Sequence, residues 1–284
     1  HDLGLPDLYD TNGSTGGSTS GVGYWDLMGS GSWNAASGQP AGTSPANLSA
    51  WCRIDLGWAI SENVTADAHK TLTNTTGLST ILRMWRDGGT SDPEYWLAEY
   101  RRKVEYDVGL PGEGVLIWHV DENWIDQYRA TNRINSSNVD RQGLEIEQAD
   151  GRYDLWSAAN RGDASDPFPG TSNNPIFAYS PYKLNIANIT PAAFSYVEAG
   201  NIERSGTSAD LDISVTSGPP VSAPPLVGPV SGAAVTVRPT FSWGYAPKAT
   251  AFRLQWSLDP TFATKSEKDV GVTADLLTLG SGIY

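Results

Sequence analysis

The segment that most constrains the fold is residues 114–120, Gly-Val-Leu-Ile-Trp-His-Val, which is apolar at consecutive positions. A strand that is apolar on both faces belongs at the centre of a sheet that is covered on each side. Residues 95–101 predict a neighbouring strand, joined to the first through a Pro-Gly turn near residue 112. Residues 144–147 and 209–215 alternate apolar and polar positions, which is typical of half-buried sandwich strands. The sequence therefore predicts an α+β chain that is mainly β.

A long loop is predicted before these strands. Residues 1–43 are dominated by Gly, Ser, Thr, Asn and Asp, and a loop of this length inside a compact domain is usually functional. Ser44 and Pro45 then predict the N-cap and first position of an amphipathic helix, which should end at Gly57. The apolar residues expected to anchor the loop are Leu3, Leu5, Tyr9, Tyr24, Trp25, Leu27, Met28 and Trp33.

A linker and a small second domain are predicted near the C-terminus. Residues 218–229 are rich in proline and predict a semi-rigid extended linker. Residues 235–243 and 251–258 predict strands, and their sequences resemble the opening strands of a fibronectin type III-like module. A sandwich of only 55 residues has too little core to be complete, so we expect this module to be truncated.

The composition narrows the classes of function. With 32 acidic and 19 basic side chains the formal net charge is −13, which argues against nucleic acid or an anionic membrane as the main partner. No stretch is long and apolar enough to predict a membrane span. The single cysteine, Cys52, excludes an internal disulfide and a cysteine-rich zinc site. An acidic chain with little lysine fits a secreted bacterial protein.

The first seven residues carry the pattern His-x-x-Gly-x-x-Asp, formed by His1, Gly4 and Asp7. In metzincin-like peptidases a helix supplies two zinc-binding histidines, and the glutamate after the first is the general base. A glycine turn and a third ligand follow the second histidine, and a methionine-containing turn lies beneath the site. Here His1 matches the second histidine, Asp7 the third ligand and Met28 the turn beneath.

Residues 1–58 resemble the immune inhibitor A-type zinc metallopeptidases, whose signature is His-Glu-x-x-His-x-x-Gly-x-x-Asp. Segments around residues 95–101, 110–121 and 162–170 resemble the β-region that follows in this family, so the resemblance extends to about residue 217. It implies a secreted bacterial zinc endopeptidase that hydrolyses peptide bonds in proteins or peptides with metal-activated water. It also implies that His1 and Asp7 bind zinc and that Met28 supports the site without binding metal.

The first zinc-binding histidine and the catalytic glutamate of that signature would precede His1. Without the glutamate no residue of the chain is an evident general base, so we expect this chain to be an inactive fragment of its parent enzyme. The expected domains are the C-terminal part of a zincin catalytic domain at 1–62, a β-sandwich region at 63–217, the linker at 218–229 and the partial fibronectin-like module at 230–284.

Calcium is a second, weaker prediction. Asp10 with Asn12, and Asp163 with Asp166, place oxygen ligands at short spacing in glycine-rich loops, as hard cations prefer. The alternative is that these residues simply build turns. His119 lies among apolar residues, which favours a core histidine with a carboxylate partner over a metal ligand.

Two other functions remain open at this stage. One is a non-catalytic, calcium-stabilised extracellular β-protein that binds protein or glycan. The other is a decayed peptidase homologue that serves as an adhesin. The residues encoded just before His1 distinguish them, because only an active peptidase requires His-Glu there.

Overall fold

A computed structural model divides the chain into two compact units, His1–Ser217 and Gly218–Tyr284. The structure describes residues 1–13, 17–74, 79–136, 141–178 and 197–216 of the first unit. In the second unit it describes residues 226–228, 240–243, 251–257, 263–271 and 276–278. Among all these residues, no helix has the length and apolar character that a membrane crossing requires.

The first unit contains nine described strands and two short α-helices. The strands in chain order are β1 (Ser61–Val64), β2 (Ala68–Thr73), β3 (Ile81–Met84), β4 (Glu94–Arg101), β5 (Gly114–Asp121), β6 (Leu144–Glu147), β7 (Phe177–Ala178), β8 (Glu198–Ser205) and β9 (Ser208–Ser214). The helices are α1 (Ala50–Asp55) and α2 (Glu122–Tyr128). Five strands form one sheet in the order β1-β3-β4-β5-β6, and the other four form a second sheet in the order β2-β9-β8-β7.

The centre of the five-stranded sheet is the pair β4 and β5. The two strands are antiparallel, with Glu94 opposite Asp121 and Arg101 opposite Gly114. All eight residues of β5 are buried, which confirms the central strand predicted from its apolar run. β1 pairs with β3 in parallel, whereas the other pairs in this sheet are antiparallel.

Side chains of both sheets join one buried core. The rings of Trp96 on β4 and Phe177 on β7 meet edge to face, with centroids 5.0 Å apart. On β9 the apolar residues Ala209, Leu211 and Ile213 are buried, as its alternating sequence predicts. β6 differs, because Glu145 is buried along with its apolar neighbours. The half-buried pattern predicted for β6 is therefore wrong, since its carboxylates have partners inside the protein.

Helix α1 begins later than the sequence predicted. The N-cap is Ser49, whose hydroxyl accepts from the Cys52 amide at 3.3 Å, and not Ser44. The segment before the helix is instead bonded to Asp107, which accepts from the Asn47 amide at 2.8 Å. Asp107 is 60 residues away in the sequence, so the local pattern did not reveal this bond. The helix ends before Gly57, which has a φ of +70°.

The second unit contains five described strands, β10 (Leu226–Gly228), β11 (Thr240–Trp243), β12 (Ala251–Trp256), β13 (Ser266–Gly271) and β14 (Leu276–Thr278). β10, β11 and β14 form one sheet, and β12 pairs antiparallel with β13. Much of the predicted linker at 218–229, and residues 235–239 of a predicted strand, lie outside the described residues. The fibronectin-like nature of this unit stays a prediction.

Candidate metal centre

His1 and Asp7, the two predicted zinc ligands, lie side by side. His1 Nε2 is 2.9 Å from Asp7 Oδ1, with 61% of the His1 side chain and 12% of the Asp7 side chain exposed. Gly4, at a φ of +85°, makes the turn between them, and its amide donates to the His1 carbonyl at 2.8 Å. A positive φ suits glycine, which has no Cβ to clash. The local sequence therefore curls the chain so that an imidazole faces a carboxylate.

The second oxygen of the Asp7 carboxylate is held by Asn132. The Asn132 Nδ2 donates to Asp7 Oδ2, and the Asp7 amide donates to Asn132 Oδ1, both at 2.7 Å. The Tyr9 hydroxyl also bonds to Asp7, and burial together with this contact raises the pKa of Tyr9. Sequence reasoning missed Asn132, because 125 residues separate it from Asp7.

Met28 lies buried beneath this segment. Its carbonyl accepts from the Leu8 amide at 3.0 Å, directly after Asp7. The buried Asp26 carboxylate accepts from the Met28 amide at 2.5 Å and from the Ser49 amide at 2.6 Å. Burial raises the pKa of Asp26 although these donors act against the shift. The turn around Met28 is thus fixed to both the Asp7 segment and the start of α1.

The expected loop anchors divide into two groups. Leu5 and Trp25 are buried, and Trp25 Nε1 donates to Asp166 at 3.0 Å. Leu3 and Trp33 are 61% and 66% exposed, so the prediction that they anchor the loop is wrong. Leu27 and Tyr9 are also exposed. Because the loop folds over the unit, its apolar residues do not all face inward.

The donor set of His1 and Asp7 fits zinc. Zinc binds imidazole nitrogen and carboxylate oxygen at about 2.0–2.2 Å, so two such donors around a tetrahedral ion lie roughly 3.3 Å apart. The observed 2.9 Å between His1 Nε2 and Asp7 Oδ1 is close to this separation. These two residues could hold the ion with only a small side-chain movement.

The first pair of predicted calcium ligands, Asp10 and Asn12, lies in a turn. Asp10 Oδ1 accepts from the Asn12 amide at 3.0 Å, and Asn12 Nδ2 donates to the Ser136 carbonyl. The first of these bonds is that of an ordinary Asx turn, and the second joins the turn to a distant segment. The Oδ1 atom of Asn12 is buried without a hydrogen-bond partner. Calcium at this position stays a prediction.

The two residues of the second predicted calcium pair, Asp163 and Asp166, have different surroundings. Asp166 is buried, and its two carboxylate oxygens accept from Gln148 Nε2, Trp25 Nε1 and the Asp163 amide. Burial raises the pKa of Asp166 to about 6. Asp163 instead lies with Asp150 and Asp154, with one carboxylate oxygen of each within 4.8 Å of the others. The structure therefore groups Asp163 with two aspartates that the sequence did not single out.

His119 is buried between two carboxylates. Its Nε2 is 2.8 Å from Glu94 Oε1 and its Nδ1 is 3.0 Å from Glu145 Oε1. Burial alone would lower the pKa of His119, but the two carboxylates raise it to about 10. His119 is thus a positively charged core residue with carboxylate partners, as the sequence favoured. His69, by contrast, lies on an exposed face and contacts Asp212 at 2.7 Å.

A buried charge cluster connects α1 to the five-stranded sheet. Glu99 on β4 is fully buried and pairs with Arg53 of α1 and with Arg101. Arg101 also bonds Asp107 at 2.7 Å and 2.8 Å. Burial alone would lower the pKa of Arg101, but Asp107 and Glu99 together raise it. This cluster fixes the loop-and-helix segment of residues 1–59 against the sheet.

Comparison with known proteins identifies the class to which the N-terminal segment is similar. Residues 1–59 match the catalytic domain of the immune inhibitor A peptidases, family M6. About a fifth of the chain is thus similar to part of a zinc metallopeptidase catalytic domain, and this segment contains His1, Asp7 and Met28. Beyond residue 59 the resemblance stays a prediction.

Individual relatives point to the same class. Over 53 residues the chain is 47% identical to the pre-pro-metalloprotease PrtV of Vibrio cholerae serotype O1, in strain M66-2 and in strain ATCC 39315 / El Tor Inaba N16961. This stretch is 19% of the present chain and only 5% of the length of PrtV. No solved structure was found to match the chain.

Proposed function

We propose that the chain is part of a secreted bacterial zinc-dependent endopeptidase in which His1 and Asp7 are zinc ligands. The observation that carries the proposal is the 2.9 Å approach of His1 Nε2 to Asp7 Oδ1, inside the segment that matches the peptidase family. The substrates would be proteins or peptides. Calcium in the acidic loops, the β-sandwich region and the fibronectin-like module belong to the same proposal.

Each residue of the proposed zinc site would have its own role. His1 and Asp7 supply a nitrogen and an oxygen donor, and the turn at Gly4 brings them together. Met28, fixed through Asp26, supports the Asp7 segment from below. When bound, zinc supplies a Lewis acid for peptide-bond hydrolysis. In the family signature the first zinc-binding histidine and the glutamate general base stand four and three positions before the residue that His1 matches.

The most direct test is to read the four residues encoded before His1 in the parent gene. We expect them to begin with His-Glu, because the signature places these residues four and three positions before His1. A histidine without the glutamate would favour a decayed homologue. Any other sequence there would overturn the zinc peptidase and favour a calcium-stabilised binding protein.

Activity provides a second test and a prediction. We expect the full-length protein to hydrolyse casein, chelation to abolish this activity and added zinc to restore it. The 284-residue chain should show no measurable hydrolysis, because none of its residues matches the signature glutamate, whose proton transfer contributes about 10²–10⁴-fold. Chelator-sensitive proteolysis by the 284-residue chain would contradict this prediction.

A further inference from the structure

Asn132 makes the most specific contact with the proposed metal centre, and it lies outside the matched segment of residues 1–59. The Asn132 side chain makes two hydrogen bonds with Asp7, each 2.7 Å long: Nδ2 donates to the carboxylate Oδ2, and Oδ1 accepts from the Asp7 backbone N–H. This pairing fixes the orientation of the Asn132 amide, since the reverse orientation would place donor against donor and acceptor against acceptor. One side chain therefore holds both the backbone and the carboxylate of Asp7.

Asn132 is itself held firmly at the end of α2. It follows the 3₁₀ turn Arg129–Thr131 and adopts the left-handed conformation, with φ 55° and ψ 44°. The backbone N–H of Asn132 donates to the Arg129 carbonyl at 3.0 Å. The backbone carbonyl of Asn132 accepts from the Thr11 hydroxyl at 2.7 Å. Asparagine tolerates this conformation better than most residues. The backbone around Asn132 is thus set by contacts that do not involve Asp7.

The same turn holds the other side of the ligand loop. Arg129 donates to the Gly4 carbonyl at 3.1 Å and pairs with both oxygens of Asp55 at 2.6 Å. The turn therefore contacts the His1–Asp7 loop at Gly4, at Asp7 and just beyond at Thr11. The loop that carries the proposed ligands is shaped by a segment more than 120 residues away.

We propose that Asn132 is a positioning residue for the zinc ligand Asp7, an inference that rests on the proposed function. A carboxylate can rotate about its Cβ–Cγ bond. Fixing Oδ2 by the Asn132 amide leaves Oδ1 turned toward His1 Nε2, so that these two atoms would hold the metal together. Outer hydrogen bonds of this kind orient metal ligands, and their loss typically weakens metal binding 10–100-fold.

The chain contains a matched control for this arrangement. On the second sheet, Asn201 also has a positive φ, 50°, and its Nδ2 donates to Asp212 Oδ2 at 2.7 Å. Asp212 in turn contacts His69 at 2.7 Å. This group shares the bond from the asparagine amide to one carboxylate oxygen and the histidine contact with the other, but the histidine approaches through Nδ1 and Asn201 bonds the carboxylate alone. This group is exposed and lies outside the segment that matches the peptidase family.

The test compares Asn132→Gly with Asn201→Gly in the full-length protein. Glycine accepts the positive φ at both positions, so each variant removes one asparagine amide without backbone strain. Zinc affinity is measured by competition with a chelator, and the visible absorption of the cobalt-substituted protein reports the ligand field. The unfolding midpoint of the metal-free protein reports the purely structural effect.

We expect Asn132→Gly to weaken zinc binding 10–100-fold and to alter the cobalt spectrum, whereas Asn201→Gly changes neither. The metal-free midpoint should fall more in Asn132→Gly, which loses two part-buried hydrogen bonds, than in Asn201→Gly, which loses one exposed bond, so zinc affinity is compared at a temperature where both metal-free variants are folded. Thr11→Val, which removes the hydroxyl that bonds the Asn132 carbonyl, perturbs the same residue independently and should weaken zinc binding by a smaller factor. Zinc affinity unchanged in Asn132→Gly would overturn the inference.

Asp7→Ala separates this inference from the proposed function. If Asp7→Ala weakens zinc binding while Asn132→Gly behaves like Asn201→Gly, the positioning role is wrong and the zinc ligand stands. If Asp7→Ala leaves zinc affinity unchanged, both the ligand assignment and the inference fall.

Discussion

Replacing Glu99 with glutamine is expected to lower the free energy of unfolding of the first unit by about 3–5 kcal/mol. Glu99 is fully buried and accepts from Trp118 Nε1 at 3.0 Å and from the Ala50 amide at 3.2 Å. It is also the carboxylate that pairs with Arg53, whose side chain is only 7% exposed. Glutamine keeps the shape but leaves the guanidinium of Arg53 buried without that charge. An uncompensated buried charge costs more than the pair itself contributes.

Urea unfolding at neutral pH measures this loss, and two variants control it. Glu62→Gln breaks the exposed pair between Glu62 and Lys70 and should cost no more than about 1 kcal/mol. The double variant Glu99→Gln with Arg53→Met removes the unpaired charge and should recover part of the loss. If Glu99→Gln lowers the free energy of unfolding no more than Glu62→Gln does, the buried pairing of Glu99 with Arg53 does not stabilise the fold.

The parts of the fold that the sequence predicted are those set by local pattern. The apolar run of β5 and the neighbouring β4 needed only the rule that such strands are buried on both faces. The pairing of His1 with Asp7 was expected from the resemblance to the peptidase signature, since the spacing alone is a weak signal, and the structure places the two side chains 2.9 Å apart.

The rest depends on residues that meet only after folding. Ser44 and Ser49 are equally good N-caps by type, and the later helix start comes with bonds to the distant Asp26 and Asp107. The bonds from Asn132 to Asp7 span 125 residues. Burial of Glu145 looked improbable from its alternating strand, because the strand pattern does not reveal that His119 lies opposite. Contacts between residues that are distant in the sequence therefore determine these features of the structure.

The stability of the first unit is expected to fall as the pH rises from about 6.5 to about 10, because of His119. Its pKa is raised to about 10 in the folded chain, against 6.5 without the fold. Below pH 6.5 the imidazole is protonated in both states, so its contribution is fully present. Above that, the folded state alone keeps the proton, and the contribution disappears as the pH passes the folded pKa. The whole effect is of the order of 5 kcal/mol.

The groups around His119 favour its charged form, and therefore a stability that falls as the pH rises. Glu94 and Glu145 bond its two nitrogens, the Trp96 ring lies 4.8 Å away, and Glu147 acts on Glu145 from the same strand. Burial also raises the pKa of Glu145, which weakens the fold in the same direction as the pH rises. The charged imidazole compensates Glu94 and Glu145, while Trp156 Nε1 also donates to Glu145 Oε2 at 2.6 Å. Removing the imidazole should therefore destabilise the unit at neutral pH.

The variant His119→Gln tests whether the charged imidazole stabilises the unit, and His69→Gln is its control. His119→Gln should cost about 3–5 kcal/mol at pH 7, and the difference from the wild type should shrink toward pH 10. His69, 65% exposed at its side chain, is the matched control, and His69→Gln should cost no more than about 1 kcal/mol at pH 7. The free energy of urea unfolding, measured between pH 6 and pH 10, gives all three curves. Parallel curves for the wild type and His119→Gln would mean that the imidazole is not held charged by its two carboxylates, because only a group whose pKa differs between the two states changes the slope.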